Sequence, residues 1–193
     1  TTPSRELYKF FDRDGNTLVL RPDFTPSIAR AASMYYHQED MPIRLCYSGN
    51  TFVNRSSYQG RLKESTQMGV ELLGDASVDG DGEIIAMTVG LLKAAGLKEF
   101  QISIGQVDFF KGLMEEAGLD AATTETVRGY VEEKNMLAIE LLLRGSGAAE
   151  AVISRIRELP MLFGGSEVFE RAGKLTTCSR CIEALENLRA VYD

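Results

Sequence analysis

The sequence predicts an α+β fold: an antiparallel sheet flanked by helices, with a helical segment completing the chain. Two observations carry this. β-prone runs separated by hairpin signals fill the first part, and apolar residues at helical spacing fill everything from Asp120 to Asp193. Glycine and proline at Gly145-Ser146-Gly147, Pro160 and Gly164-Gly165 divide that second part into several helices. The expected division is an α+β core over 1–118 and a helical segment over 119–193, packed on the core or inserted into it. No internal repeat or low-complexity tract interrupts either part.

The elements follow in order. Leu7–Phe11 and Thr17–Leu20 flank Asp12-Arg13-Asp14-Gly15-Asn16, and Asp-Gly between β-prone runs predicts a hairpin because the turn needs positive φ. The same stretch lacks the third acid of a calcium loop, so it is read as a turn. Thr25 is the expected N-cap of a helix with Pro26 at its first position. Ile28, Ala31, Ala32 and Tyr35 make its buried stripe, and Met41-Pro42 lies beyond its end.

A strand is expected from Ile43 to Phe52, then a polar loop, then a long strand from Arg61 to Leu73. Period-two alternation sorts the long strand into a polar phase (Arg61, Lys63, Ser65, Gln67, Gly69, Glu71) and a mainly apolar one (Leu62, Glu64, Thr66, Met68, Val70, Leu72). A sheet with one packed and one solvated face accounts for this pattern. Arg61 and Lys63 would also suit an anionic group, beside a cationic one at Gln67 and Glu71. Further on, Asp81 is the expected cap of a helix over 83–95 ended by Gly96. Phe100, Ile102 and Ile104 read as a buried strand, and Val107–Ala117 as a helix stopped by Gly118.

Composition bounds the function. The chain has 193 residues, 44% hydrophobic and 25% charged, with a formal net charge of −7. These values exclude a disordered tail, a collagen-like repeat and a disulfide-stapled miniprotein, and the acidic balance argues against a broad nucleic-acid footprint. The richest apolar stretch, Met136–Leu143, falls well short of the roughly 20 residues a membrane span needs. No secretory signal pattern opens the chain, so the cytoplasm is the expected location. Of three cysteines, Cys46, Cys178 and Cys181, the last two have the spacing of half a metal site or a redox pair. With no second such pair, they read as reduced thiols on a helix and no metal is expected. The one histidine, His37, reads as a surface residue at a helix end. Phosphate-loop, dinucleotide, zinc-protease and serine-hydrolase signatures are absent.

Resemblance adds the next layer. Leu20-Arg21-Pro22-Asp23-Phe24-Thr25 is similar to a signature element of the histidyl-tRNA synthetases. The stretch from Arg44 to Phe52, followed by Gln59-Gly60-Arg61 and Gln67-Met68-Gly69-Val70-Glu71-Leu72-Leu73-Gly74, resembles their form of the second class II motif. The resemblance extends over most of the chain, including Leu162–Glu167. The words Leu20–Arg30 and Gly49–Phe52 look closer to a paralogous branch, the regulatory subunits of ATP phosphoribosyltransferase.

Departures separate the branches. Where a working synthetase has an α-phosphate-clamping arginine after Phe52, this chain has Val53, and where an acid follows two positions later it has Arg55. Valine supplies no planar bidentate cation for a reacting phosphate. Thr66 replaces the histidine expected before Gln67. The ATP and Arg-Gly-Leu-Asp-Tyr-Tyr blocks of the synthetases do not appear, and the resemblance implies that the full protein extends beyond both ends of this chain.

The resemblance therefore implies a class II synthetase-like domain without catalysis of its own. It would be a regulatory subunit in histidine biosynthesis, partnered with a separate catalytic subunit that joins ATP to phosphoribosyl pyrophosphate. Self-association and free histidine as effector are expected; tRNA, membrane and cofactor are not. Asp23, Thr25, Gln67 and Glu71 match the positions that hold the histidine ammonium in the synthetases, with Asp23 one methylene shorter than the usual glutamate. Two other readings stay open: a catalytic-domain fragment of a histidyl-tRNA synthetase, and an amino-acid-sensing paralogue with another client.

Overall fold

The computed structural model describes residues 3–54, 60 and 62–193, so Arg55 and Arg61 lie outside the described residues. The chain divides into two compact units, Thr1–Gly80 and Asp81–Asp193. The sequence reading put the division at 118. It falls earlier because the helix before Gly118 packs among the later helices.

In the first unit, β1 (Lys9–Phe11) and β2 (Thr17–Val19) pair antiparallel with Phe10 opposite Leu18. Asp12 closes the hairpin: its Oδ1 accepts from the backbone N–H groups of Asp14 and Asn16, and its Oδ2 from the Asn16 side chain. These donors hold the Asp12 carboxyl below the usual range, the Asn16 side chain most strongly. Gly15 has φ +82°, as the turn requires.

Helix α1 (Thr25–Tyr35) begins one residue earlier than expected. Thr25 is its first residue, Phe24 takes the cap position and no side chain caps it, while Asp23 Oδ1 accepts from the Thr25 N–H at 3.2 Å. The expected stripe is incomplete. Ile28, Ala31 and Ala32 are half-buried, but Tyr35 is 71% exposed in the last turn.

Strands β3 (Ile43–Phe52) and β4 (Glu64–Leu73) form a ten-residue antiparallel ladder, in which Leu45 faces Glu71, Tyr47 faces Gly69 and Gly49 faces Gln67. The expected roles of the two phases of β4 are reversed around its middle. Gln67, Gly69 and Glu71 are half-buried, whereas Met68 in the apolar phase is 79% exposed. The polar phase is the covered one because Arg21 and Phe24 lie over it.

Helix α2 (Val78–Ala94) starts before Asp81, so Asp81 is not its cap. Ser77 does that work: its Oγ accepts from the Gly80 N–H, and its own N–H donates to Asp75 Oδ1. Residues 100–104 alternate between half-buried and exposed as a strand would, yet they belong to no ladder among the described residues. An extended segment with no neighbour to bond is not a strand.

The second unit is otherwise helical, as expected: α3 (Val107–Glu116), α4 (Ala121–Glu132), α5 (Met136–Gly145), α6 (Glu150–Glu158), α7 (Glu167–Gly173) and α8 (Ser179–Tyr192), with a 3₁₀ turn at Leu159–Met161. Side-chain caps set three of the starts. Gln106, Asp120 and Asn135 accept from the N–H groups of Asp108, Thr123 and Ala138. Leu113, Met114, Val127, Ile139, Leu143, Ile153 and Ile156 form the core, with Cys181 and Ala184 of α8 closing it.

Glu116, at the end of α3, is the polar tie of this unit. It accepts from Arg155 of α6 and from the buried Thr176 hydroxyl, each at 2.5 Å, and Thr176 Oγ1 in turn accepts from the Cys178 N–H. The Thr176 bond foremost, then Arg155, holds the Glu116 carboxyl below the usual range against the opposing effect of burial. Such a group stabilises the fold above its unfolded pKa, and the contribution disappears as the pH falls through its folded one.

Two outcomes are expected from chemical denaturation. Ile156→Ala removes a fully buried side chain and lowers stability by about 2–5 kcal/mol. Glu116→Gln lowers it by about 1–3 kcal/mol at neutral pH, and the gap to wild type narrows in acid, where the native carboxyl is protonated too. A gap unchanged across that range would show that the charge of Glu116 is not what matters.

Candidate functional site

The site candidates lie in the first unit, on one face of the β3–β4 ladder. Residues directly opposite in an antiparallel pair share a face, so Leu45, Tyr47, Gly49 and Thr51 stand with Glu71, Gly69, Gln67 and Ser65. Two glycines make room on this face. A Cβ at Gly69 would come within 2.2 Å of the Tyr47 ring carbon and hydroxyl, so the tyrosine lies across its partner strand only because that side chain is missing. A Cβ at Gly49 would sit 2.8 Å from Phe24 and 3.3 Å from an Arg21 guanidinium nitrogen.

An aromatic and cationic layer covers these openings. Phe24 stacks on Tyr47 with ring centroids 4.5 Å apart and planes 17° from parallel, and the Arg21 guanidinium carbon lies 3.9 Å from the Phe24 centroid. Arg21 also donates to the Asn50 carbonyl at 3.1 Å, and its own carbonyl accepts from the Phe52 N–H at 2.9 Å. The segment entering α1 is thereby fastened to β3 from both its side chain and its backbone.

Three of the four expected ligand residues meet through direct contacts. The Thr25 hydroxyl donates to Glu71 Oε1 at 2.7 Å, and the Thr25 N–H donates to Asp23 Oδ1. Gln67 shares the face of Glu71, and its Nε2 donates to the Tyr47 hydroxyl at 3.1 Å. That bond turns the Gln67 carbonyl oxygen into the group left to accept. The ensemble offers two carboxylates, an amide oxygen and a hydroxyl, which is the chemistry of an ammonium receptor.

The remaining expected positions are scattered. Val53 is half-buried and extends the ladder by donating its N–H to the Lys63 carbonyl at 2.9 Å. Alternation places Val53 and Lys63 on the Gln67–Glu71 face, beyond its far end. Lys63 is exposed, so with Arg61 undescribed the pair expected to contact an anion is represented by one solvent-facing lysine. Thr66 points to the opposite face, where its hydroxyl donates to Asn50 Oδ1 at 3.0 Å and Asn50 Nδ2 donates to Glu64 at 2.6 Å. Cys46 also stands on that opposite face and is exposed.

Sequence reasoning overlooked Arg21, Phe24 and Tyr47. Their signal was present in the pairing of Tyr47 with a glycine across the ladder, but it becomes readable only once the register is known.

The family profile described as histidyl-tRNA synthetase matches residues 2–193. The chain belongs to the histidyl-tRNA synthetase family. Within that family it is 42% identical over 191 residues to a protein of Acetivibrio thermocellus named ATP phosphoribosyltransferase regulatory subunit, covering 99% of this chain and 46% of that one. A protein of the same name from Clostridium acetobutylicum is 40% identical over 190 residues, covering 97% of this chain and 47% of that one. A solved structure from Bacillus halodurans, titled ATP phosphoribosyltransferase regulatory subunit/histidyl-tRNA synthetase, matches with a TM-score of 0.88 at 33% identity, over 98% of this chain and 49% of that one. The synthetase-like α+β fold expected from the motifs is the fold these neighbours share. The chain spans about half the length of the curated family members it matches.

One prediction concerns the face itself. Gly69→Ala is expected to cost about 1–3 kcal/mol, because the tyrosine must leave its place. The Gly69→Ala/Tyr47→Ala double variant should lose less than the sum of the two single variants, by about 0.5–3 kcal/mol. Strict additivity in a denaturation-measured double-mutant cycle would contradict the close approach.

Proposed function

We propose that this chain is part of a regulatory subunit of ATP phosphoribosyltransferase that binds free histidine and performs no aminoacylation. The observation that carries the reading is an ammonium-type acceptor set, Gln67 and Glu71 on one sheet face joined by Thr25 and Asp23 from the start of α1, with Val53 where a synthetase needs its phosphate-clamping arginine. The amino-acid half of a synthetase site is kept while the nucleotide half lacks its cation. The names of the relatives support the same reading.

In this reading histidine enters ammonium first, toward Glu71 and the Gln67 carbonyl oxygen. Asp23 and Thr25 complete the acceptor set from the start of α1. Catalysis belongs to a separate transferase subunit in a cytoplasmic hetero-oligomer, and the regulatory chains also associate with one another. Histidine at this distance changes the rate only by binding two arrangements of the assembly with different affinity, a coupling of about 1–3 kcal/mol in typical systems.

Calorimetry with histidine tests the site. Glu71→Ala is expected to weaken binding by roughly tenfold or more, the loss of a charge-assisted contact. Equal affinity in wild type and variant would place the site elsewhere. Mixing the full-length protein with the catalytic subunit tests the role: phosphoribosyl transfer should change in rate and acquire histidine sensitivity. Histidine-dependent pyrophosphate exchange at a synthetase-like rate would instead favour an active synthetase, since loss of the clamp is worth on the order of 3 kcal/mol or more. Val53→Arg alone should leave exchange absent.

A further inference from the structure

The second unit carries a pair of nucleophilic side chains that the histidine face does not use. Cys178 is the N-cap of α8, and Cys181 lies in the first turn of that helix. Residues three apart in a helix are neighbours on one side of it, with Cα atoms about 5 Å apart, within the range a disulfide bridges. Both thiols are free.

Their surroundings differ. Cys178 is half-buried and packs against the core, whereas Cys181 is 0% exposed and lies against Phe109 and Gly112 of α3. The Cys181 thiol donates to the Phe109 carbonyl at 3.3 Å, and a Cβ on Gly112 would lie 2.6 Å from its sulfur. No glutathione-sized adduct fits at Cys181. Burial, first of all, pushes the Cys181 thiol up, with Cys178 and Glu116 adding to it and a bond from Thr176 opposing. Cys178 counts among the groups that act on the Cys181 thiol, in agreement with the spacing of the two along the helix start.

We propose that Cys178 and Cys181 are a reversible dithiol–disulfide pair that exchanges with low-molecular-weight disulfides. The thiolate of Cys178 attacks one sulfur of RS–SR. A Cys178–S–S–R bond forms, the RS–SR bond breaks, and RS⁻ leaves. Cys181 then gives its proton to solvent and attacks Cys178 Sγ, closing the internal bond as a second RS⁻ departs. The protein loses two electrons and the small disulfide gains them, and the two released thiolates take up protons to become RSH. The less buried sulfur attacks and the fully buried one resolves, an order set by access, and in a reducing compartment such pairs are transient and responsive rather than structural. Closing the bond draws the Cys181 sulfur off the Phe109 carbonyl, so the oxidised form alters the packing of α3 on α8.

The experiment uses the purified chain carrying Cys46→Ser, which removes the exposed third thiol. It is equilibrated in oxidised and reduced glutathione, quenched in acid, and read by intact mass and peptide mapping. The expected product has lost the mass of two hydrogens and yields a Cys178–Cys181 linked peptide. It should exceed the mixed adduct by about tenfold or more, the advantage of an intramolecular thiol, and revert when reduced glutathione is restored. Adding Cys181→Ala should stop the reaction at one glutathione on Cys178, and adding Cys178→Ala should leave Cys181 unmodified. Persistence of the mixed adduct in the parent, or no modification of it, would overturn the proposal, and that result stands even if a further variant fails to fold.

Discussion

Gly49 opposite Gln67, and Tyr47 opposite Gly69, set a register on which the rest of the first unit depends. Side chains alternate along a strand, so a slip of one residue would carry Gln67 and Glu71 to the other face and bring Met68 and Val70 round in their place. Tyr47 resists such a slip because it has a cleared position on only one partner residue. Phe24 then seats on Tyr47, Arg21 on Phe24, and Thr25 reaches Glu71 only because the segment leading into α1 is pinned by those two contacts. Each layer is positioned by the one beneath it.

The second unit achieves order by a different route. Its core is mainly aliphatic, three of its helix starts are fixed by polar side chains, and its helices are joined across the surface by charged pairs such as Arg180 with Asp108 and Glu115. Pairs as exposed as these add little individually. Glu116 differs because it gathers a guanidinium, a buried hydroxyl and, through that hydroxyl, the N–H of Cys178 at the N-cap of α8. Helices α3, α6 and α8 therefore share one polar junction above an apolar core.

What the sequence revealed and what it withheld divide along physical lines. Hairpin, long ladder and helical tail were readable because Asp-Gly turns, period-two alternation and period-3.6 stripes are local signals. The start of α2 was misplaced because both Ser77 and Asp81 can cap, and only the chain path at Asp75 decides between them. Phe100, Ile102 and Ile104 have a strand's pattern without a ladder among the described residues, since pairing requires a second segment that no local pattern specifies. The motif residues Asp23, Thr25, Gln67 and Glu71 could be named from the sequence. Their aromatic support could not, because stacking and glycine clearance are relations between strands.

The bond from Gln67 to Tyr47 has a consequence for selectivity. A carboxamide is ambidextrous: turned over, it presents a donor where it had presented an acceptor. With its amino group donating to the phenol, Gln67 turns its carbonyl oxygen outward beside Glu71 and suits a cationic visitor; with the phenol donating to that oxygen instead, the amino group turns outward. The hydroxyl of Tyr47 thus holds Gln67 in place in either orientation without contributing any charge of its own.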